Sequence, residues 1–200
     1  MAELFKNLQY QAFRAGINPR TKESRDWFRK KTQELRRINR NTLLKDELVK
    51  KKSAVANRTN IGGMFMFFYE AKNKDTLPYY DKFPLIIMVG PAEGGFYGIN
   101  LHYLPPVMRA KFLDALLDVT NNNNYDESTK FRVTYNLLNR SSKFKYFKPC
   151  FKHYLKNQVR SSLAEVQAPE WEIATFLPMA SWNKGSSMDV YAKSRSIINR

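Results

Sequence analysis

The stretch 61–104, IGGMFMFFYEAKNKDTLPYYDKFPLIIMVGPAEGGFYGINLHYL, holds three short apolar runs parted by turn-forming residues, and its reading decides the fold. Met64 to Tyr69 is aromatic and follows Gly62-Gly63, which favours a buried strand. A turn-rich excursion runs from Lys72 to Phe83 and contains Pro78 and the pair Tyr79-Tyr80. Pro84 opens a second strand, Leu85 to Val89, and Gly94-Gly95 turns the chain into a third, Phe96 to Leu101. Pro105-Pro106 ends the sheet and can start a helix, because the first helical turn tolerates proline. Far downstream, Trp171 to Leu177 alternates bulky and small residues, stops at Pro178, and predicts one more strand. Short strands with a long loop after the first predict an α+β fold built on a small SH3-like barrel. The intervening helices are then an insertion before the closing strand.

Outward from this block the charge changes abruptly. Residues 61–104 carry 3 Lys/Arg against 4 Asp/Glu, whereas residues 1–60 carry 16 against 6 and residues 105–163 carry 11 against 4. The last stretch, 164–200, balances at 4 against 4, and the whole chain stands at +16. A neutral apolar body with basic helical flanks attracts polyanions first. An acidic protein, an anionic membrane surface, or plain solvation of the charge are the competing uses. The organisation expected is a basic helical arm over 1–60 and a barrel body over 61–200, with the helical insertion at 105–163.

Asn18-Pro19-Arg20-Thr21 marks a helix entry, and from Glu23 the pattern is helical. At 100° per residue, Trp27, Phe28, Leu35 and Ile38 share one apolar stripe. Arg25, Arg29, Arg36 and Arg40 fall opposite, with Lys30 and Arg37 widening the arc. Arginine suits phosphate because its planar fork donates bidentately and keeps its charge. A solvated amphipathic helix without ligand is the plainer reading. Val107 to Val119, with Met108, Phe112, Leu113, Leu116 and Leu117, is a core helix, and Phe131, Tyr135 and Leu138 mark the next.

From Lys143 to Tyr154 lysine and aromatic residues interleave: KFKYFKPCFKHY. Lys143, Lys145, Lys148 and Lys152 could contact phosphates while the rings stack on bases. Equally, this is an edge strand or loop whose rings face the core while its lysines reach water. If Pro149 starts a helix, Lys148, Lys152, Lys156 and Arg160 form one ridge.

Composition limits the rest. At 43% hydrophobic and 14% aromatic the chain can bury a core. Its longest apolar run falls far short of the roughly 20 residues needed to span a bilayer, and Met1 to Tyr10 lacks a secretory pattern, so an intracellular protein is expected. One cysteine, Cys150, excludes an internal disulfide and gives no metal cluster, so neither cofactor nor metal is expected. Cys150 and His153 form a lone Cys-x-x-His with no third group, and His102 reads as a structural histidine. Glu70-Ala71-Lys72 at a strand end resembles a nuclease pair but lacks the second carboxylate on an adjacent strand. Tyr79, Tyr80, Phe83 and Trp171 sit beside prolines in or near neutral sequence, where packing is the expected use.

Three blocks, Gly63 to Tyr69, Leu77 to Ile86 and Gly98 to Pro105, resemble small virion-associated proteins of contractile-tailed bacteriophages. Within that group the resemblance, over roughly residues 20–195, is strongest to the DNA end protector family of the head. It implies a non-enzymatic virion protein that binds the ends of packaged double-stranded DNA and shields them from host exonuclease. Head, neck or tail virion proteins are the protein partners this implies, with no membrane. A structural baseplate or neck component is the alternative in the same class. No functional residue is carried over from the resemblance. The twelve basic residues named above stand on charge and spacing alone.

Overall fold

The apolar runs of the central block become neighbouring strands, short and continuous between Gly and Pro, as strands buried on both faces are. The computed structural model describes residues 4–35, 38–45, 49–52, 60–120, 122–143 and 147–198. Six strands form one antiparallel sheet: β1 (Val49–Lys52), β2 (Met64–Met66), β4 (Leu85–Ala92), β5 (Gly95–Asn100), β6 (Phe151–Leu155) and β7 (Leu163–Val166). Their spatial order is β1-β7-β2-β4-β5-β6. β3 (Tyr80–Asp81) and β8 (Trp182–Asn183) make a separate two-stranded ribbon. The helices are α1 (Leu4–Arg14), α2 (Lys22–Gln33), α3 (Arg40–Leu43), α4 (Pro106–Thr120), α5 (Glu127–Lys143), α6 (Trp171–Phe176) and α7 (Ser187–Ile198).

Both faces of the sheet are covered. Met64, Met66, Leu85, Ile87, Ile99, Ala164 and Val166 point to the helical side, where they share one core with Phe5, Leu8, Phe28, Leu116, Leu138 and Ile173. Phe65, Phe67, Ile86, Met88, Phe96, Tyr154 and Leu163 point the other way, beneath Tyr69, Ala71, Leu77 and Tyr80 of the excursion that follows β2. Gly95 admits no other residue, because a Cβ there would lie 1.9 Å from the Tyr154 carbonyl oxygen on β6. Among the described residues no helix is long and apolar enough to cross a membrane.

The α+β class holds, but the barrel does not. The sheet is open, with β1 at one edge and β6 at the other. Its expected closing strand, Trp171 to Leu177, is instead the helix α6, and every one of that helix's six residues is buried. A helix enclosed on all sides shows no polar face, so hydropathy offers no 3.6-residue period to read. The segment after Pro149 takes the edge-strand alternative and not the helical one. It is the edge strand β6, so Lys148, Lys152, Lys156 and Arg160 do not form a helical ridge. The arginine helix also ends early, at Gln33, and Arg40 starts the separate α3. The common phase expected for Arg25, Arg29 and Arg40 is therefore lost.

The packing expectation for the aromatics is met. Tyr80, Phe83 and Trp171 are buried. Tyr79 is partly buried, its ring 5.9 Å from that of Tyr103 and 6.1 Å from that of Trp182.

Candidate nucleic-acid interface

α2 begins where Asn18-Pro19-Arg20-Thr21 predicts an entry. Thr21 caps it, with the Thr21 and Ser24 hydroxyls each accepting from the other's backbone N–H at 3.1 and 3.0 Å. The stripe that faces the interior is Ser24, Phe28 and Thr32, so two of its three members are hydroxyl residues. Ser24 Oγ donates to Glu172 Oε1 on α6 at 2.7 Å, and the Arg20 backbone N–H donates to Glu172 Oε2 at 2.8 Å.

Arg25 belongs to this seam. Its guanidinium pairs with Asp114 of α4 through Nε and lies 3.6 Å from Glu172 through Nη1, with its side chain only 12% exposed. It therefore ties three helices together and offers little to a phosphate. Arg40 is spent in a similar way: Nε and Nη2 donate to the Met179 and Ala180 carbonyls, each at 2.8 Å. Arg29 pairs with Asp26 on its own helix at 2.8 Å, and Lys30 is exposed. Arg36 and Arg37 lie outside the described residues.

The second candidate cluster divides likewise. Lys143 closes α5, and Lys145 lies outside the described residues. Lys148 and Lys156 are exposed. Lys152 turns inward, its Nζ 4.1 Å from the centre of the Tyr103 ring, and burial holds its pKa below the ordinary lysine value. Arg160 is half-exposed and pairs with Glu70 at 3.1 Å. The rings of the stretch pack rather than wait for bases. Tyr154 stacks on Phe96 and Phe151 on Tyr97, with ring centres 5.6 and 5.0 Å apart.

Other exposed cations escaped the sequence reading. Arg132 and Arg140 project from α5 with Asn136 between them, and Lys22, Lys45 and Lys111 are exposed on or beside α2, α3 and α4. The four-residue spacing of Arg132, Asn136 and Arg140 was a visible signal. The apolar residues Phe131, Tyr135 and Leu138 interleave with it along the same helix.

The residues with chemical potential are dispersed or inert. Cys150 is buried and its thiol is pushed up to about 12, chiefly by that burial. His153 points away from it, its Nε2 lying 2.9 Å from the Glu93 carbonyl oxygen. Glu70 is held by Lys74 at 2.6 Å and by Arg160, and these partners lower its pKa. Among the described residues no three of His, Cys, Asp and Glu gather as metal ligands would. Asp81 and His102 form a fully buried pair, with His102 Nδ1 donating to Asp81 Oδ2 at 2.5 Å. The backbone N–H groups of Phe83 and Ser181 donate to Asp81 Oδ1 and the Asn100 side chain to Oδ2. Burial keeps the His102 pKa below its ordinary value, so the ring is neutral and structural.

Among the described residues, what remains is a packed apolar body with cations at its surface and no assembled catalytic group. A family model described as phage T4 terminal DNA protecting protein matches residues 6–197. The chain belongs to this family. The resemblance read from its three central blocks is thereby confirmed over nearly the whole chain. No curated protein and no solved structure matches it.

Membership makes the role of the arginine seam testable. Arg25→Gln is expected to lower stability by about 1–3 kcal/mol, because it removes the cation that pairs with buried Glu172 and with partly exposed Asp114. Lys30→Gln, on the exposed side of the same helix, is expected to change it by less than about 0.5 kcal/mol. Urea midpoints for the two variants check this, and equal values would remove Arg25 from the helix seam.

Proposed function

We propose that this protein binds the termini of linear double-stranded DNA within the virion and blocks exonuclease access there without cutting or joining strands. The family match over residues 6–197 carries the reading, and the net charge of +16 supports it. In the virion it sits with the packaged genome in the head, where head or neck proteins are its neighbours.

The contacts proposed are electrostatic and come from the exposed cations: Lys22, Lys30, Lys45, Lys111, Arg132, Arg140, Lys148 and Lys156. Arg29 and Arg160 are paired on the surface with Asp26 and Glu70, and a phosphate can compete with those carboxylates. Arg36, Arg37, Lys143 and Lys145 complete the set. Arg25, Arg40 and Lys152 are left out because their head groups are engaged inside the protein.

With about six phosphates neutralised, log K should fall against log salt with a slope near −5. Filter binding to linear duplex between low and physiological salt measures it. A slope flatter than about −2 would leave too few ion pairs for the proposal. Protection is tested by incubating linear and end-sealed duplex with a processive exonuclease. The protein is expected to preserve the linear substrate in proportion to its occupancy.

A further inference from the structure

α1 presents an unusual outer face. Phe5, Leu8 and Ala12 are buried against the body, while Lys6, Tyr10, Phe13 and Arg14 are exposed on the opposite side. Phe13 is the most exposed large apolar side chain among the described residues, at 80%, and Tyr10 follows on the same helix at 61%. The Arg14 guanidinium lies 5.9 Å from the centre of the Tyr10 ring. No residue of α1 is acidic.

Beside Phe13 opens a cleft of about 430 Å³, walled by Ala12, Ile17, Pro19, Phe28 and Pro169. Glu172 lies at its floor but is 1% exposed, and its oxygens are already met by Ser24 and by the Arg20 backbone N–H. Arg20, at φ 62°, forms part of the rim. The neighbouring cleft holds Glu23 and Asp26, but Lys22 and Lys30 line it too and Arg29 pairs with Asp26. An apolar slot with an aromatic lip and cations on the same helix suits a nucleobase joined to a phosphodiester.

We propose that this cleft holds the unpaired base at a DNA terminus, stacked on Phe13, with Arg14 and Arg20 facing its phosphates. Bases inside a duplex are stacked and paired, whereas a terminal pair frays at little cost. Such a slot discriminates an end from the duplex interior by shape. The proposal rests on the end-binding reading above and adds the means of recognition.

The test uses the full chain and three DNA probes: a linear duplex, the same duplex closed by hairpin loops at both ends, and a linear duplex with 2-aminopurine as the terminal base. The parent protein is expected to prefer the linear duplex and to quench the terminal fluorophore. Phe13→Ala should lose about ten- to a hundredfold in affinity for the linear duplex and lose the quenching, with closed-duplex affinity unchanged. Phe13→Trp should keep both, because the indole stacks as well. Thermal melts of both variants should match the parent, since the side chain is on the surface. If Phe13→Ala keeps the parent's end preference and quenching, the slot is not the end-reading site, although end binding itself stands. An equal loss on open and closed duplex would make Phe13 a general contact and likewise overturn the proposal. A parent protein with no preference for open ends would instead remove the underlying reading.

Discussion

Asp81→Ala is expected to leave the protein unfolded at ordinary temperature. The Asp81 carboxylate is fully buried and takes hydrogen bonds from Phe83 N, Ser181 N, Asn100 Nδ2 and His102 Nδ1. Removing it takes the acceptor from four donors in three separate segments, at Phe83, at Asn100 and His102, and at Ser181. Each buried donor without an acceptor costs about 1–3 kcal/mol, and a domain's whole stability is about 5–15 kcal/mol. Circular dichroism and the soluble fraction measure the outcome. A variant melting within a few degrees of the parent would show that these donors find other partners. The same pair sets the acid limb of stability. Burial by itself would raise the Asp81 pKa, but His102 and the donated N–H groups outweigh it and hold the pKa low. Burial lowers that of His102. Both groups therefore take up protons more readily in the unfolded chain, so stability is lost on acidification. The loss should begin below about pH 6.5 as unfolded histidine protonates, and deepen below about pH 4 with unfolded aspartate.

Trp171→Ala is expected to be nearly as damaging. Trp171 opens α6, is buried, and its indole Nε1 donates to the Val166 carbonyl of β7 at 2.9 Å. The helix it opens packs against both α2 and α4. A large aromatic truncated in a core costs about 3–5 kcal/mol. Trp171→Phe keeps most of the apolar area and loses the one hydrogen bond, so about 1 kcal/mol is expected. Urea midpoints should rank parent, Phe variant and Ala variant in that order, well separated. Similar midpoints for parent and Ala variant would mean α6 is not the hub between sheet and helices.

The central block was legible because its strands are short continuous apolar runs and its turns are marked by Gly and Pro. Leu85 to Val89 and Phe96 to Leu101 fall on β4 and β5, and the long core helix falls on α4. β7 left no comparable trace: Leu163–Val166 has four residues and no flanking glycine, yet it lies between β1 and β2. Without β7 and β1 the visible strands suggested a closed barrel. The lysine-aromatic alternation of Phe151 to Tyr154 fitted both a binding surface and an edge strand, and its backbone pairs with β5 as an edge strand.

Charge was legible as a total and not as a distribution. Arg25 sits next to Ser24, whose small polar side chain reads as surface although it is wholly buried. Only the carboxylate of Glu172, far along the sequence, makes that position interior. Arg109 shows the same limit. It is buried and donates to the Leu104, Thr175 and His102 carbonyls and to the Tyr191 hydroxyl. No local pattern announces partners that distant.

An open sheet has a consequence that a barrel would avoid. Its two rims are unzipped β surfaces, and an unzipped rim recruits copies of itself when molecules crowd. The whole chain stands at +16, so two such rims meeting would bring two strongly like-charged molecules together. Like-charge repulsion opposes rim-to-rim growth, and it weakens as salt shortens the Debye length toward about 3 Å near 1 M. Colloidal behaviour should thus invert the usual salt rule. Dilute buffer keeps the molecules apart, and concentrated salt is where sedimentation should first reveal linear association.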